Sequence, residues 1–222
     1  MPVSIDFKDM TLDELRAALA AELPSDAAFD GWTPTALRAT AARMGVDPDV
    51  ADLAFPDGAV QMIEAWFAHV DAQMAAALPA DHLAGLKIRA RITALLEARL
   101  AVLAPHREAL RRAQAVLAHP RHAAAAARLG WHAADQMWRA AGDQATDYNH
   151  YTKRAILGSV YAATLLVFVN DDSEDWADSR AFLARRIAGI MRFEQAKAKW
   201  TAGGNRHFSM ARFLGRLRYP AH

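Results

Sequence analysis

The sequence predicts an all-α fold of about nine helices followed by a C-terminal amphipathic helix. Apolar residues recur every three or four positions from Val60 to Leu78, which is the spacing of a helix with one buried face. Capping signals alternate with proline and glycine breaks along the first half of the chain. The run from Ala155 to Val169 is almost continuously apolar, and its length of about 15 residues is below the roughly 20 that cross a bilayer. We therefore expect a central helix there that is buried on nearly all sides.

Composition limits the chemistry open to the chain. Its 222 residues suffice for one helical domain with a sizeable core, and the lack of cysteine excludes disulfides, thiol nucleophiles and cysteine metal sites. The formal net charge of +1 conceals an uneven distribution. Residues 1–60 carry 4 basic and 11 acidic side chains, whereas residues 203–222 carry 4 arginines and no carboxylate. An acidic head and a basic tail favour different partners at the two ends.

The acidic head contains three helix starts. Thr11 followed by Glu14 forms a capping box, and Thr33 followed by Pro34 places an N-cap before a proline at the first helical position. Asp47 before Pro48 marks a third, very short helix. The expected helices span about residues 12–22, 34–44 and 48–55.

This order of helices resembles the helix-turn-helix head of the tetracycline-repressor fold. The resemblance divides the chain into a degenerate head at 1–57, a helical body at 58–202 and a tail at 203–222. A recognition helix needs cations or amides near its start, but here that helix carries Asp47, Asp49 and Asp52 and no cation. These carboxylates would repel DNA phosphates, so we expect no nucleic-acid binding. A ligand-responsive transcription regulator stays open as the alternative function.

The body is expected to continue as long helices. One spans about 81–103, with Lys87, Arg89, Arg91 and Arg99 directed outward, and a shorter helix lies between Pro105 and Pro120. The next helix, about 121–141, is rich in alanine, which allows either close packing of a neighbour or a lipid-sized cavity beside Ala123–Ala127. Beyond the acidic turn at 171–175, a further helix could pack in the core or form a subunit interface.

The sequence offers little catalytic chemistry. His119 with His122, His132 with Asp135, and His150 do not reproduce the spacing of a zinc or di-iron site. There is no phosphate-binding glycine loop and no nucleophile elbow. We therefore expect no catalytic residue, no metal and no cofactor, and hence a protein that is not an enzyme. An enzyme of unrecognised type stays open as a further alternative.

The basic tail predicts a helix that lies in a membrane surface. After Gly203 and Gly204, four apolar side chains share one side of a helical wheel and two arginines occupy the other. The candidate membrane-binding residues are Met210, Arg212, Phe213, Leu214, Arg216 and Leu217. The alternative is a last helix that docks on the body.

Several motifs in the second half resemble the ubiquinone-biosynthesis accessory lipid-binding proteins, the ninth family of the Coq series. They are WHAADQMW at 131–138, AGD at 141–143, Thr146 and Asp147 with Asn149, YTKR at 151–154, DDSEDW at 171–176, Phe182-Leu183, and Arg185-Arg186-Ile187, together with Gly31-Trp32-Thr33 near the front. The resemblance covers about residues 10–200. It implies a tetracycline-repressor-like fold without DNA binding, a cavity for an isoprenoid quinone precursor or other lipid, a homodimer and a membrane-binding C-terminal helix.

The same resemblance implies a partner. The partner is the di-iron hydroxylase that acts on demethoxyubiquinone, and the family's binding patch falls on Asp135, Met137, Trp138, His150 and Tyr151. The family commonly has tryptophan at the position of His150. The first ten residues contain two aspartates and no arginine, unlike a signal or transit peptide. We expect a cytoplasmic protein on the inner membrane face, or one on the mitochondrial matrix side if a leader was omitted.

Overall fold

The structure is a computed structural model that describes residues 9–143 and 148–203. Within these residues the chain forms ten α-helices and no strand, so the predicted all-α class is confirmed. The helices are α1 (Leu12–Asp30), α2 (Pro34–Met44), α3 (Pro48–Ala54), α4 (Ala59–Ala77), α5 (Ala80–Ala84), α6 (Ile88–Leu103), α7 (Arg107–Leu117), α8 (Ala123–Ala140), α9 (Tyr148–Phe168) and α10 (Ala177–Gly203). Within the described residues, the part of the chain up to Leu183 forms one compact unit and the part from Ala184 onward a second.

The helix starts of the head are confirmed, but the predicted end of α1 is wrong. The Thr11 side chain accepts from the Glu14 amide while Glu14 reaches back to the Thr11 amide, which completes the capping box. The helix does not end near residue 22 but continues through Pro24 to Asp30. A proline inside a helix costs roughly 3 kcal/mol. Leu23 and Ala27 are fully buried on either side of it, so tertiary packing outweighs the proline.

A pair of tryptophans joins the head to the body. Trp32, which precedes α2, packs its ring 5.1 Å from that of Trp66 on α4, and its Nε1 donates to the carbonyl of Ala109 on α7 at 2.9 Å. Both indoles are buried. The helix-turn-helix head is thereby part of the same core as the helices that carry the candidate site.

The predicted single helix over 81–103 is interrupted, because α5 ends at Ala84 and α6 begins at Ile88. Arg91 bridges the break: its Nε donates to the carbonyl of Leu86 at 2.8 Å and its Nη2 to that of Ala84 at 3.0 Å. The prediction that all four cations face outward is also wrong. Lys87 and Arg89 are exposed, Arg91 is half-buried, and Arg99 is completely buried.

The central helix α9 is not buried on all sides, contrary to the sequence prediction. One stripe of the helix faces solvent, and it consists of Tyr151, Ala155, Ser159, Ala162 and Leu166. Leu166 alone is 62% exposed. The continuous apolar run reflects small and apolar residues on this exposed stripe rather than burial.

The chain turns after α9 through a short 3-10 segment, Glu174–Trp176, before α10 begins. Trp176 lies in this segment rather than in the helix, and its ring packs edge-on against Phe168 at 5.5 Å. The predicted membrane-binding residues, 205–222, lie outside the described residues. No helix in the described ranges is long and apolar enough to span a bilayer.

Candidate functional site

Three aromatic side chains form a cluster on the surface of α8 and α9, which we call the aromatic surface. Trp131 lies 5.9 Å from Tyr151 and 6.4 Å from His150, and the rings of His150 and Tyr151 are 5.1 Å apart. Tyr151 is 62% exposed and Trp131 is 36% exposed. Large exposed rings that contact one another are typical of protein-binding surfaces, because Tyr and Trp bury much apolar area at low entropic cost.

The other predicted patch residues lie below or beside this surface. Trp138 is partly buried, and its Nε1 donates to the carbonyl of Lys153 at 3.1 Å. The Lys153 ammonium lies 5.3 Å from the centre of the Trp138 ring, a cation–π distance. Met137 is completely buried, so its side chain is not part of the exposed surface.

An ion-pair network of five residues holds α8 against α9 beneath the aromatic surface. Arg154 is its centre: its side chain is 2% exposed, and it donates to Asp135 at 2.6 Å and to Asp143 at 3.3 Å. Arg139 adds a second bond to Asp135 at 2.7 Å, and Lys153 adds one to Asp143 at 2.8 Å. Each carboxylate thus meets two cations.

These contacts set the protonation state of both carboxylates. Burial alone would raise the pKa of Asp135 and of Asp143. For Asp135, the hydrogen bonds and charges of Arg154 and Arg139 outweigh burial. For Asp143, those of Lys153 and Arg154 do so. Both pKa values therefore lie below the usual range. Both side chains are therefore ionised at neutral pH, as the network requires.

A glycine turn brings Asp143 into this network. The amide of Asp143 donates to the carbonyl of Trp138 at 2.9 Å, which closes the end of α8, and Gly142 has φ +86°. Only glycine adopts that conformation without strain. Arg91 from α6 donates to the carbonyl of Ala141 at 2.9 Å, so the turn is also anchored to the body.

An apolar groove lies farther along the same two helices. Its volume is about 320 Å³, near the lower end of the range of roughly 300–1,000 Å³ for ligand sites. Its lining is Phe67, Gln114, Leu117, Ala118, Ala126, Leu129, Gly130, Tyr161, Ala162, Leu165 and Leu166. The groove reaches the surface at Ala162 and Leu166, which are exposed.

Close packing and an apolar groove occur at different places along the alanine-rich helix. Helices α8 and α9 approach so closely that a Cβ added to Gly158 would lie 3.1 Å from the carbonyl oxygen of Gly130. The groove opens beside Ala126, within the stretch where a lipid-sized cavity was one of the two expectations. The two features therefore come from different small residues of the same helix.

Known proteins resemble this chain at the level of sequence. The COQ9 family model matches residues 123–194. The "Ubiquinone biosynthesis protein COQ9, mitochondrial" of Bos taurus is 31% identical over 167 residues, which is 72% of this chain and 52% of that protein. The Homo sapiens protein of the same name is 40% identical over 96 residues, 43% of this chain and 30% of that protein. The chain belongs to the COQ9 family.

The fold has a solved neighbour as well. A TetR transcriptional regulator from Nitrosomonas europaea ATCC 19718 superposes with a TM-score of 0.62 at 25% identity, over 79% of this chain and 97% of the regulator. The predicted tetracycline-repressor-like fold is thereby confirmed. The chain spans about half the length of the bovine and rat COQ9 proteins, at 52% and 54%.

The COQ9-family segment contains the aromatic surface and the ion-pair network. Residues 123–194 cover α8, α9 and the start of α10, which carry the aromatic surface and the ion-pair network. The sequence prediction placed Asp135, Trp138, His150 and Tyr151 together, and the structure does bring them together. It omitted Trp131, although this residue opens the WHAADQMW motif and i to i+7 spacing puts it on the face of Trp138.

The burial of two arginines was not predicted. Arg154 was named in the polar start of the central helix and in a family motif, and Arg99 was assigned to the solvent. No group of three or more histidine or carboxylate side chains within residues 9–143 and 148–203 is arranged to hold a metal ion.

Proposed function

We propose that this COQ9-family chain is a non-enzymatic lipid-binding accessory protein of ubiquinone biosynthesis. In this role it takes an isoprenoid quinone precursor from the membrane and presents the head group to the di-iron hydroxylase that acts on demethoxyubiquinone. The observation that supports this best is the position of the apolar groove and the aromatic surface on the same pair of helices, α8 and α9. A lipid in the apolar groove is therefore close to a protein bound at the aromatic surface.

The groove has the character required for an isoprenoid tail. Its walls are aliphatic and aromatic apart from Gln114 and the Tyr161 hydroxyl, and transfer of a hydrocarbon from water into such a site is driven by the hydrophobic effect. A volume of about 320 Å³ encloses part of a long tail.

A groove-blocking substitution tests lipid binding. Ala162→Trp places an indole at the exposed mouth of the groove, whereas Ala155→Trp adds the same ring two turns earlier on the same stripe, away from the lining. We expect native mass spectrometry to detect polyisoprenoid lipid carried through purification by the wild type and by A155W, and little by A162W. Equal lipid in all three proteins would contradict the assignment of the groove.

The aromatic surface is the proposed docking site for the hydroxylase. Tyr151→Ala removes its most exposed ring, and loss of such an anchor typically weakens binding by about 2 kcal/mol, or roughly thirtyfold. Phe29→Ala is the matched control, because Phe29 is 82% exposed at the end of α1. Titration of the hydroxylase monitored by surface plasmon resonance should show the loss for Y151A alone. Unchanged affinity of Y151A would move the docking site elsewhere.

Duplex DNA is not a proposed partner, although the solved neighbour is a transcriptional regulator. Helix α3 is capped by Asp47 and contains Asp49 and Asp52, and the nearby Arg38 donates to Asp52 at 2.6 Å. An acidic helix whose neighbouring cation is already engaged supplies no charge to meet phosphates. The acidic charge of the head therefore favours a protein that does not bind DNA.

The proposed location is the face of the membrane at which quinone synthesis takes place. The bovine and rat relatives are named as mitochondrial proteins. We propose that this chain attaches reversibly through residues 205–222, either at the cytoplasmic face of an inner membrane or at the matrix face in a mitochondrion.

A further inference from the structure

Arg99 on α6 is a buried cation that is only partly hydrogen-bonded. Its side chain is 0% exposed, its Nη1 donates to Asp71 on α4, and its guanidinium carbon lies 4.8 Å from the ring centre of Tyr161 on α9. Nε and Nη2 of Arg99 have no hydrogen-bond partner among the described residues, and neither has the Tyr161 hydroxyl. Buried polar groups without a partner are rare in folded proteins, because each has lost its hydration without replacement.

Arg99 lies beside a second cavity, which we call the polar cavity. Its volume is about 230 Å³, and Arg99, Asp71, Arg128 and His132 form part of its wall. Phe67 and Leu129 line both this cavity and the apolar groove, and Tyr161 lines the groove. The two spaces are therefore neighbours that share a wall, which suits a molecule with a polar end and an apolar tail. The unpartnered donors themselves are closed off from solvent.

The charges around the polar cavity favour an uncharged ligand. Arg99 pairs with Asp71, and Arg128 pairs with Glu64 at the rim. Asp71 also lies 3.3 Å from His132. Because each arginine already faces a carboxylate, an incoming anion would meet no uncompensated positive charge. The unpartnered donors of Arg99 and Tyr161 therefore require acceptor atoms rather than a negative charge.

The free donors also have a defined shape. Nε and Nη2 lie on one edge of the planar guanidinium and project their N–H bonds in parallel, so they match two neighbouring oxygens or one shared oxygen. A hydroxyl such as that of Tyr161 can donate to a third acceptor or accept a bond itself.

We propose that Arg99 and Tyr161 bind the uncharged, oxygen-bearing polar end of an amphiphile whose tail occupies the apolar groove. This inference rests on the proposed lipid-binding function and adds the chemistry of the head group. Neighbouring acceptor oxygens of this kind occur on an alkoxy-substituted quinone ring and in the ester carbonyls of a neutral glycerolipid. An alkyl phosphate is excluded by the paired charges.

Competition against the fluorescent hydrocarbon diphenylhexatriene tests the head-group site. The competitors share similar tails: a dimethoxy-methyl-decylbenzoquinone, decylbenzene, didecanoylglycerol and decyl phosphate. Four proteins are compared: the wild type, Arg99→Lys, Tyr161→Phe and Arg89→Gln. Arg99→Lys keeps the charge opposite Asp71 but loses the edge that carries two donors. Arg89→Gln is the control, because Arg89 lies on the exposed face of α6. Thermal unfolding of each protein verifies that it is folded.

We expect the wild type and R89Q to bind the quinone at least about tenfold more tightly than decylbenzene, which corresponds to about 1.4 kcal/mol. This preference should disappear in R99K and shrink in Y161F. A similar preference for didecanoylglycerol would identify ester carbonyls as ligands of the same site, whereas its absence would identify the quinone ring. Y161F and the wild-type comparison decide the result even where R99K fails to fold.

Two outcomes would overturn the inference and are distinguishable from each other. If the quinone and decylbenzene displace the probe equally from the wild type, the groove binds tails and the head-group site is wrong, while the proposed function stands. Tighter binding of decyl phosphate than of the quinone has the same consequence. If the wild type binds neither the probe nor any competitor, the proposed function itself fails.

Discussion

Replacing Arg154 by methionine is expected to lower the free energy of unfolding by about 3 kcal/mol, near the lower end of the roughly 3–5 kcal/mol for breaking a buried ion pair. Methionine fills similar space but leaves Asp135 and Asp143 without their central partner. The loss is limited because Arg139 and Lys153 each keep one bond to these carboxylates. For a chain of this size the melting temperature should fall by about 6–12 °C, measured by circular dichroism.

Arg139→Met is the matched control for that measurement. It removes a cation from the same carboxylate, Asp135, but from a side chain that is 68% exposed. Exposed ion pairs contribute about 0–1 kcal/mol, so the melting temperature should change by no more than about 4 °C. Equal effects of R154M and R139M would show that burial does not determine the strength of this network.

Arg154 also holds the start of the helix that carries part of the aromatic surface. The Arg154 guanidinium also donates to the carbonyl of His150 at 3.2 Å, in the first turn of α9. The ion-pair network therefore fixes the start of the helix from which His150 and Tyr151 project. A partner that binds the aromatic surface meets side chains already held in place, which lowers the entropic cost of association.

The helix starts were predictable from the sequence because their signals are local. Thr11 with Glu14 and Thr33 with Pro34 specify a cap through residues within three positions of each other. The end of α1 was not predictable in this way. Pro24 normally ends a helix, and only the distant partners of the following turn override it: Asp26 accepts from the Thr40 hydroxyl at 2.6 Å.

The candidate site was predictable where a family motif covers it and not where it depends on buried charge. Motifs placed Trp138 and Tyr151 together, but a charge on a helix was assigned to solvent by default. Arg99 shows why that assignment is wrong: it lies three residues after Leu96 and four before Leu103, in the stripe of α6 whose apolar members are buried. The spacing of Arg99 within this stripe indicated a buried position, but arginine is normally assigned to the surface.

Asp171 lies at the turn between α9 and α10. Its carboxylate is 4% exposed, and it accepts hydrogen bonds from the amides of Ser173 at 2.9 Å and Ser179 at 2.7 Å and from both hydroxyls. Burial alone would raise the pKa of Asp171, but these bonds outweigh it and lower the pKa to about 2, from a usual 3.8. Such a shift contributes about 2 kcal/mol to stability at neutral pH.

Because the folded pKa lies below the unfolded one, this contribution is present above about pH 4 and is lost as pH falls toward 2. Asp171→Asn removes the titrating group, so urea unfolding should show a deficit of about 2 kcal/mol at pH 7 that shrinks to about 1 kcal/mol at pH 3. Asp172→Asn, whose side chain is 97% exposed, should show neither effect. A deficit that stays constant with pH would mean that asparagine merely fits the turn badly, and that the ionised carboxylate is not what stabilises it.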